Sequence, residues 1–273
     1  MILALLKRTL PVGALAVFGA TLLRCQGVAS IVREEQSVTV GSAQESWRLE
    51  WRAPPNLVCF PGTDGADWYT CPCAGFRFAE RGRLDLVRRR PGAGEERLAL
   101  TPLFRVAENP AAVLNLDQAV LQRWPVLKAD TVLDDPDLAS RIRARGLETA
   151  MLFADFDRDG RPTEFLLRVG SEPCAHVMSV LVGISIDRSA LHVFATAEHP
   201  DVPLVLEEPV WDAVLHSPQS AATVVDLRCG DHGSDEMTEV TLRAEGGVLH
   251  ATRRTYQCTD DDKRGRLLAT AVL

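Results

Sequence analysis

The stretch SVTVGSAQESWRLEWR, residues 37–52, decides the fold class, because Val38 and Val40 and then Trp47, Leu49 and Trp51 stand at alternate positions. A period of two belongs to a strand with one buried and one solvated face. Pro54-Pro55 then breaks the pattern, since proline cannot donate to a strand ladder. Trp47, Trp51 and Trp68 could line a sugar-binding face, but aromatics at alternate strand positions more often fill a core, where their large apolar area is worth most.

Working outward, Phe76 and Phe78, Leu84 and Leu86, and Leu98 and Leu100 repeat the alternation, with Gly82 and Pro91-Gly92 between them. This reads as a three-stranded meander. Strand patterns continue at 149–154, 165–169, 177–186, 191–195, 222–228, 238–243, 248–257 and 267–272, separated by turns such as Glu245-Gly246-Gly247. Helical signals are few: 111–124 before Pro125, 138–145 behind Asp135-Pro136-Asp137, and 209–215. The expected fold is therefore mainly β, with antiparallel sheets in a sandwich or propeller-like meander and one or two short helices. No fixed-period repeat supports a solenoid or full propeller. Without a Pro/Gly/Ser linker, residues 31–273 read as a single mainly-β domain, and the less regular stretch near 105–130 is the place for any subdivision.

Residues 1–30 read as a signal peptide. Lys7 and Arg8 precede an apolar run at 9–23 that is short for a bilayer span, and small residues follow at Gly27, Ala29 and Ser30. Removing this segment leaves no membrane span and implies export to a periplasmic or extracellular space. Leu22 and Cys25 give part of a lipid-attachment box, but Arg24, directly before the cysteine, opposes lipid anchoring. Six cysteines remain: Cys59, Cys71, Cys73, Cys174, Cys229 and Cys258. An even number in an exported chain favours disulfides. Cys229 and Cys258 could staple strands, and Cys59 could close a short loop with Cys71 or Cys73. The one-residue spacing of Cys71 and Cys73 does not suit a zinc finger. With Lys7, Arg8 and Arg24 gone, 27 basic residues face 37 acidic ones. That surface repels nucleic acid and anionic headgroups.

The most informative chemistry lies in DFDRDGRPTE, residues 155–164. A calcium loop takes side-chain oxygens from its first, third and fifth positions, turns sharply at the sixth and offers a carbonyl at the seventh. Asp155, Asp157, Asp159, Gly160 and Arg161 fill those places, and Glu164 is the only later acid within the loop. The expected metal set is therefore Asp155, Asp157, Asp159, Arg161 through its carbonyl, and Glu164, holding a structural Ca2+. The competing expectation is a solvated acidic turn in which the aspartates accept backbone hydrogen bonds and Gly160 takes a positive φ.

Position twelve is Leu166, and Pro162 precedes β-type residues, so no exiting helix is expected. The loop instead resembles the strand-loop-strand calcium elements of FG-GAP and VCBS repeat proteins, in a single copy. That resemblance implies an ion held between two strands. FG-GAP-type loops often carry an acid at position nine, where this chain has Thr163. More widely, residues 154–164 together with Arg123-Trp124-Pro125, residues 71–75 and residues 191–194 look similar to secreted bacterial proteins that are themselves uncharacterised.

Other constellations are weaker. His176, His192, His199, His216, His232 and His250 are scattered, and no HExxH occurs. Gly183-Ile-Ser185-Ile departs from the GxSxG nucleophile elbow at its last position. Asp260-Asp261-Asp262 reads as a solvated hairpin tip, and 231–236 as a polar loop. The resulting expectation is an exported, disulfide-bonded protein with a binding or structural role, its partner a protein or a glycan. The alternative is a secreted hydrolase whose acids and histidines, such as Glu164, His176 and His232, converge only on folding.

Overall fold

The computed structural model describes residues 30–63, 73–105, 118–131, 135–172, 176–261 and 263–273. Residues 1–29 of the expected signal peptide, with Cys25, together with Trp68, Cys71, Cys174, Asp262 and the first half of the expected helix at 111–124, lie outside the described residues.

The chain begins with β1 (Ile31–Val40), β2 (Ala43–Trp51), β3 (Asn56–Val58), β4 (Ala79–Gly82), β5 (Leu84–Arg90), β6 (Gly94–Ala99) and β7 (Ala119–Gln122). Helix α1 (Leu138–Arg143), β8 (Glu164–Glu172), β9 (His176–Gly183), β10 (His192–Val193) and β11 (Val205–Glu207) follow. Helix α2 (Glu208–His216) leads into β12 (Ala221–Leu227), β13 (Glu236–Glu245), β14 (Val248–Cys258) and β15 (Arg264–Val272). The fold is mainly β, and all four sheets are built from antiparallel ladders. Their orders are β1-β2-β5-β6, β3-β4-β7 and β12-β13-β14-β15, while in the fourth β9 pairs with β8 on one edge and with β10 and β11 on the other.

Layering follows from the period of two. On the β1-β2-β5-β6 sheet, Trp47, Leu49, Trp51, Leu84 and Leu86 point into one core. They meet Phe165, Leu167, Val169, Val180 and Val182 from β8 and β9. The opposite parity of that middle sheet, Leu166 and Leu181, faces a second core, built with Trp211 and Val214 of α2 and Val240, Leu242, Leu249 and Ala251 of the C-terminal sheet. The middle sheet is thus buried on both faces, which explains its near-continuous apolar sequence. A third cluster, Phe60, Phe78, Trp124, Leu138 and Ile142, sits at α1. Trp47 and Trp51 are core residues, not a sugar platform: they are 0 % and 1 % exposed.

Three local expectations are corrected. Phe76 and Phe78 precede β4 instead of forming a strand, and β4 pairs with β3 and β7, so the expected meander is only the β5-β6 hairpin. Phe78 adopts φ 55°, a left-handed turn that no alternation pattern reveals. Residues 119–122, expected to be helical, form β7, because pairing with β4 outweighs local propensity. Residues 149–154 form no strand beyond one bridge from Ala154 to Glu164. Their backbone is held by side chains instead: Ala150 N–H and Met151 N–H donate to the Glu34 carboxylate, and Gln36 donates to the Met151 carbonyl.

Two disulfides bind Cys59 to Cys73 and Cys229 to Cys258, consistent with an exported protein. The second joins the chain just past β12 to the end of β14, beyond the start of the intervening β13. Among the described residues, no helix is long and apolar enough to cross a membrane.

Candidate metal centre

The 155–164 loop leaves the Ala154–Glu164 bridge and returns to it, so its two ends are fixed by a single antiparallel contact. Inside it, each aspartate accepts a backbone N–H from further along the loop. Asp155 takes Gly160 N–H at 3.2 Å, Asp157 Oδ1 takes Asp159 N–H at 3.1 Å, and Asp159 Oδ1 takes Arg161 N–H at 2.9 Å. Arg158 and Gly160 adopt φ of 58° and 90°, the reversals that curl the chain around its own carboxylates. One oxygen from each of Asp155, Asp157 and Asp159 lies within 4.8 Å of the others, close enough for one ion to touch all three.

Asp157 is the centre of the arrangement. It is 0 % exposed, and its Oδ2 has no hydrogen-bond partner. A buried carboxylate oxygen without a donor is costly. Burial is the main cause that pushes the Asp157 carboxyl up to about 7, and the charge of Asp159 adds to it. Asp159 is compensated: the Arg161 guanidinium lies 2.7 Å from its Oδ2.

Glu164, also fully buried, is oriented differently. Its Oε2 accepts Phe156 N–H at 3.1 Å, and its Oε1 lies 2.7 Å from Thr163 Oγ1, which in turn is 3.0 Å from the Ile184 carbonyl. The Thr163 hydroxyl has one hydrogen and two acceptors, so a protonated Glu164 that donates to Thr163 satisfies the whole chain of contacts. Burial, followed by the Asp157 charge, pushes Glu164 up to about 8, in keeping with that proton. The three-aspartate cluster does not include Glu164. The Arg161 carbonyl accepts Thr163 N–H at 2.9 Å and retains a second lone pair.

Several supporting residues carry no recognisable motif. The Arg158 side chain turns away from the acids and donates to the carbonyls of Val214, Leu215 and Ser217, at the C-terminal end of α2. Main-chain N–H groups of Gly246 and Gly247, in the β13-β14 turn, donate to the Arg158 and Asp157 carbonyls at 3.2 and 3.0 Å. Gly183 stands opposite Glu164 in the ladder, where a Cβ would come within 2.3 Å of the Thr163 carbonyl. The loop is thereby a junction between the middle sheet, α2 and the C-terminal sheet.

Beside this junction a cleft of about 840 Å³ opens between β8 and residues 148–153, with β7 at one end and α2 on its rim. On the rim, His176 Nδ1 lies 2.9 Å from Glu207 Oε1, and Arg168 Nε lies 2.5 Å from Glu208 Oε1. His192 is buried beside Phe194, and desolvation lowers its basicity, so it belongs to the packing. His216 and His250 pair with Asp212 and Glu198 on the exposed surface.

Comparison with protein-family models, curated proteins and solved structures finds no match to this chain. The likeness to FG-GAP and VCBS elements thus rests on the residues of the loop alone.

Proposed function

We propose that the 155–164 loop holds one structural calcium ion, and that the protein is an exported, disulfide-stapled binding module whose layers this ion locks together. The observation that carries the reading is the Asp157 carboxylate, fully buried, with its Oδ2 lacking a donor and with one of its oxygens grouped with oxygens of Asp155 and Asp159. An ion there supplies the missing partner and stabilises the ionised carboxylates in place of protons. Oxygen-only donors in a flexible loop suit Ca2+ better than the smaller Mg2+, which demands near-octahedral geometry. Because Arg158 and the Asp157 carbonyl tie the loop to α2 and to the β13-β14 turn, fixing the loop fixes all three. A structural ion in an extracellular setting needs a dissociation constant of only about 0.1–1 mM. Calorimetric titration at pH 8 should give one calcium per chain in that range. Silence in the calorimeter, or an unaltered titration of Asp157→Ala, refutes the site.

A hydrolase is the second reading, and the His176–Glu207 contact at the cleft favours it, since a carboxylate can orient a histidine as a base. Of the hydroxyls near this rim, Ser179 Oγ is 3.4 Å from Glu208 Oε1 on a residue that is 0 % exposed, out of reach of a substrate, while Thr149 lines the cleft as an exposed residue. An activity screen against ester and peptide substrates separates the two: turnover abolished by His176→Ala would establish the enzyme.

A further inference from the structure

The cleft beside the loop has the construction of an interrupted β-sheet. Ala154 N–H donates to the Glu164 carbonyl at 2.9 Å, so that carbonyl points away from β9. The period of two sends the N–H and C=O groups of Leu166 and Arg168 to the same outer edge. Beyond the single Ala154–Glu164 bridge the two chains splay apart; among the described residues β8 pairs only with β9, so its outer edge at Leu166 and Arg168 faces no strand, and Leu152 has no main-chain hydrogen bond. Backbone groups left open along a strand are a template for another strand. The side chains in the fork are apolar, chiefly Leu152, Phe153, Phe156 and Leu166, and Leu152 is 68 % exposed. The rim carries four carboxylates, Glu148, Glu207, Glu208 and Asp212, against one arginine: Glu208 is paired with Arg168, Glu207 with His176 and Asp212 with His216.

We propose that this cleft takes an extended peptide segment as an added strand on the outer edge of β8, with apolar residues entering the fork and lysine or arginine residues facing the acidic rim. Hydrogen bonds to the Leu166 and Arg168 main chain supply affinity, while the apolar fork and the carboxylates select the side chains. The proposal rests on the binding reading above and is independent of the calcium ion.

The test is an array of eight-residue synthetic peptides, valine at alternate positions and every other position varied, probed with the full-length protein. Retained members should be rich in lysine and arginine. The strongest of them, measured in solution by fluorescence anisotropy, should weaken at least tenfold when its alternate amides are N-methylated. The Leu152→Arg variant, altered at an exposed wall residue, should weaken it to the same degree, and Asp212→Lys by at least threefold, with both variants melting as the parent does. If no peptide is retained, strand addition falls, while the binding reading, which also covers glycans and folded proteins, stands. Retention that is indifferent to N-methylation, to peptide charge or to Leu152→Arg overturns strand addition alone.

Discussion

Replacing Asp157 with asparagine in the absence of metal should stabilise this protein at alkaline pH, although it removes the central residue of the site. The carboxyl titrates at about 7 in the folded chain against 3.8 in the unfolded one. Below 3.8 both states are protonated and the group contributes nothing. Between the two values the folded state holds the extra proton, so stability declines as the pH rises, and above 7 the full cost of a buried unpaired charge is present. At 1.36 kcal/mol for each pH unit, that cost is about 4 kcal/mol. Asparagine keeps the shape and the Oδ1 acceptor for Asp159 N–H while removing the charge. Urea unfolding in EDTA should therefore show the parent losing stability from pH 5 to pH 8.5. Asp157→Asn, which removes this titration, should gain about 2.7 kcal/mol on the parent between pH 5 and pH 8.5 and be the more stable of the two at pH 8.5. In saturating calcium the order at pH 8.5 should reverse. A parent whose stability in EDTA is flat across this range refutes the buried-charge reasoning, as does a variant that is weaker in EDTA at pH 8.5.

Other parts of the fold yield sharper local tests. Asp130, 1 % exposed, is held below the ordinary carboxylate range chiefly by its hydrogen bonds from Arg145. The stability it contributes is present above 3.8 and is lost as the pH falls through its lowered folded value, and Arg145→Ala should cost about 3 kcal/mol at pH 7 by stranding the carboxylate. A loss under 1 kcal/mol in chemical denaturation would contradict this. Arg158→Ala removes three bonds to the end of α2 and should cost about 2 kcal/mol, with faster amide exchange there; unchanged exchange would argue against the cap. Gly183→Ala forces a Cβ against the Thr163 carbonyl and should cost about 2 kcal/mol while weakening calcium binding. Unaltered affinity would show that the ladder at Glu164 is irrelevant to the site.

The alternation of Trp47, Leu49 and Trp51 marked β2, but the stretch 37–52 that reads as one strand is the β1-β2 hairpin, turned at Gly41 and Ser42, because the alternation runs through the turn without a break. Helices formed at both 138–145 and 209–215, within a residue or two of the expected bounds. The two disulfides fall within the pairings that the sequence left open. Segments held by side chains were not legible. Residues 149–154 alternate as a strand does, yet Glu34 and Gln36 supply their partners from more than 100 residues away. Charges buried inside sheets also mislead a reading by polarity: Glu45 and Arg88 lie on the core face because they pair there, as Glu80 does with Arg33. At the site, the three aspartates and Gly160 were readable from spacing alone. Arg158 was not, because nothing local distinguishes an arginine that points into a loop from one that reaches a distant helix end. Gly183 looked only like part of a failed nucleophile elbow, and its true role depends on which residue stands opposite it in the ladder.

The most direct measurement of the central claim is a thermal melt at pH 8 in 10 mM calcium and again in EDTA, for the parent and for Asp157→Ala. With a dissociation constant of about 0.1 mM, 10 mM calcium adds about 2.7 kcal/mol. For a chain of this size that raises the melting temperature by roughly 5–10 °C. The account predicts that increase for the parent and none for Asp157→Ala; identical melts of the parent in calcium and in EDTA would contradict it.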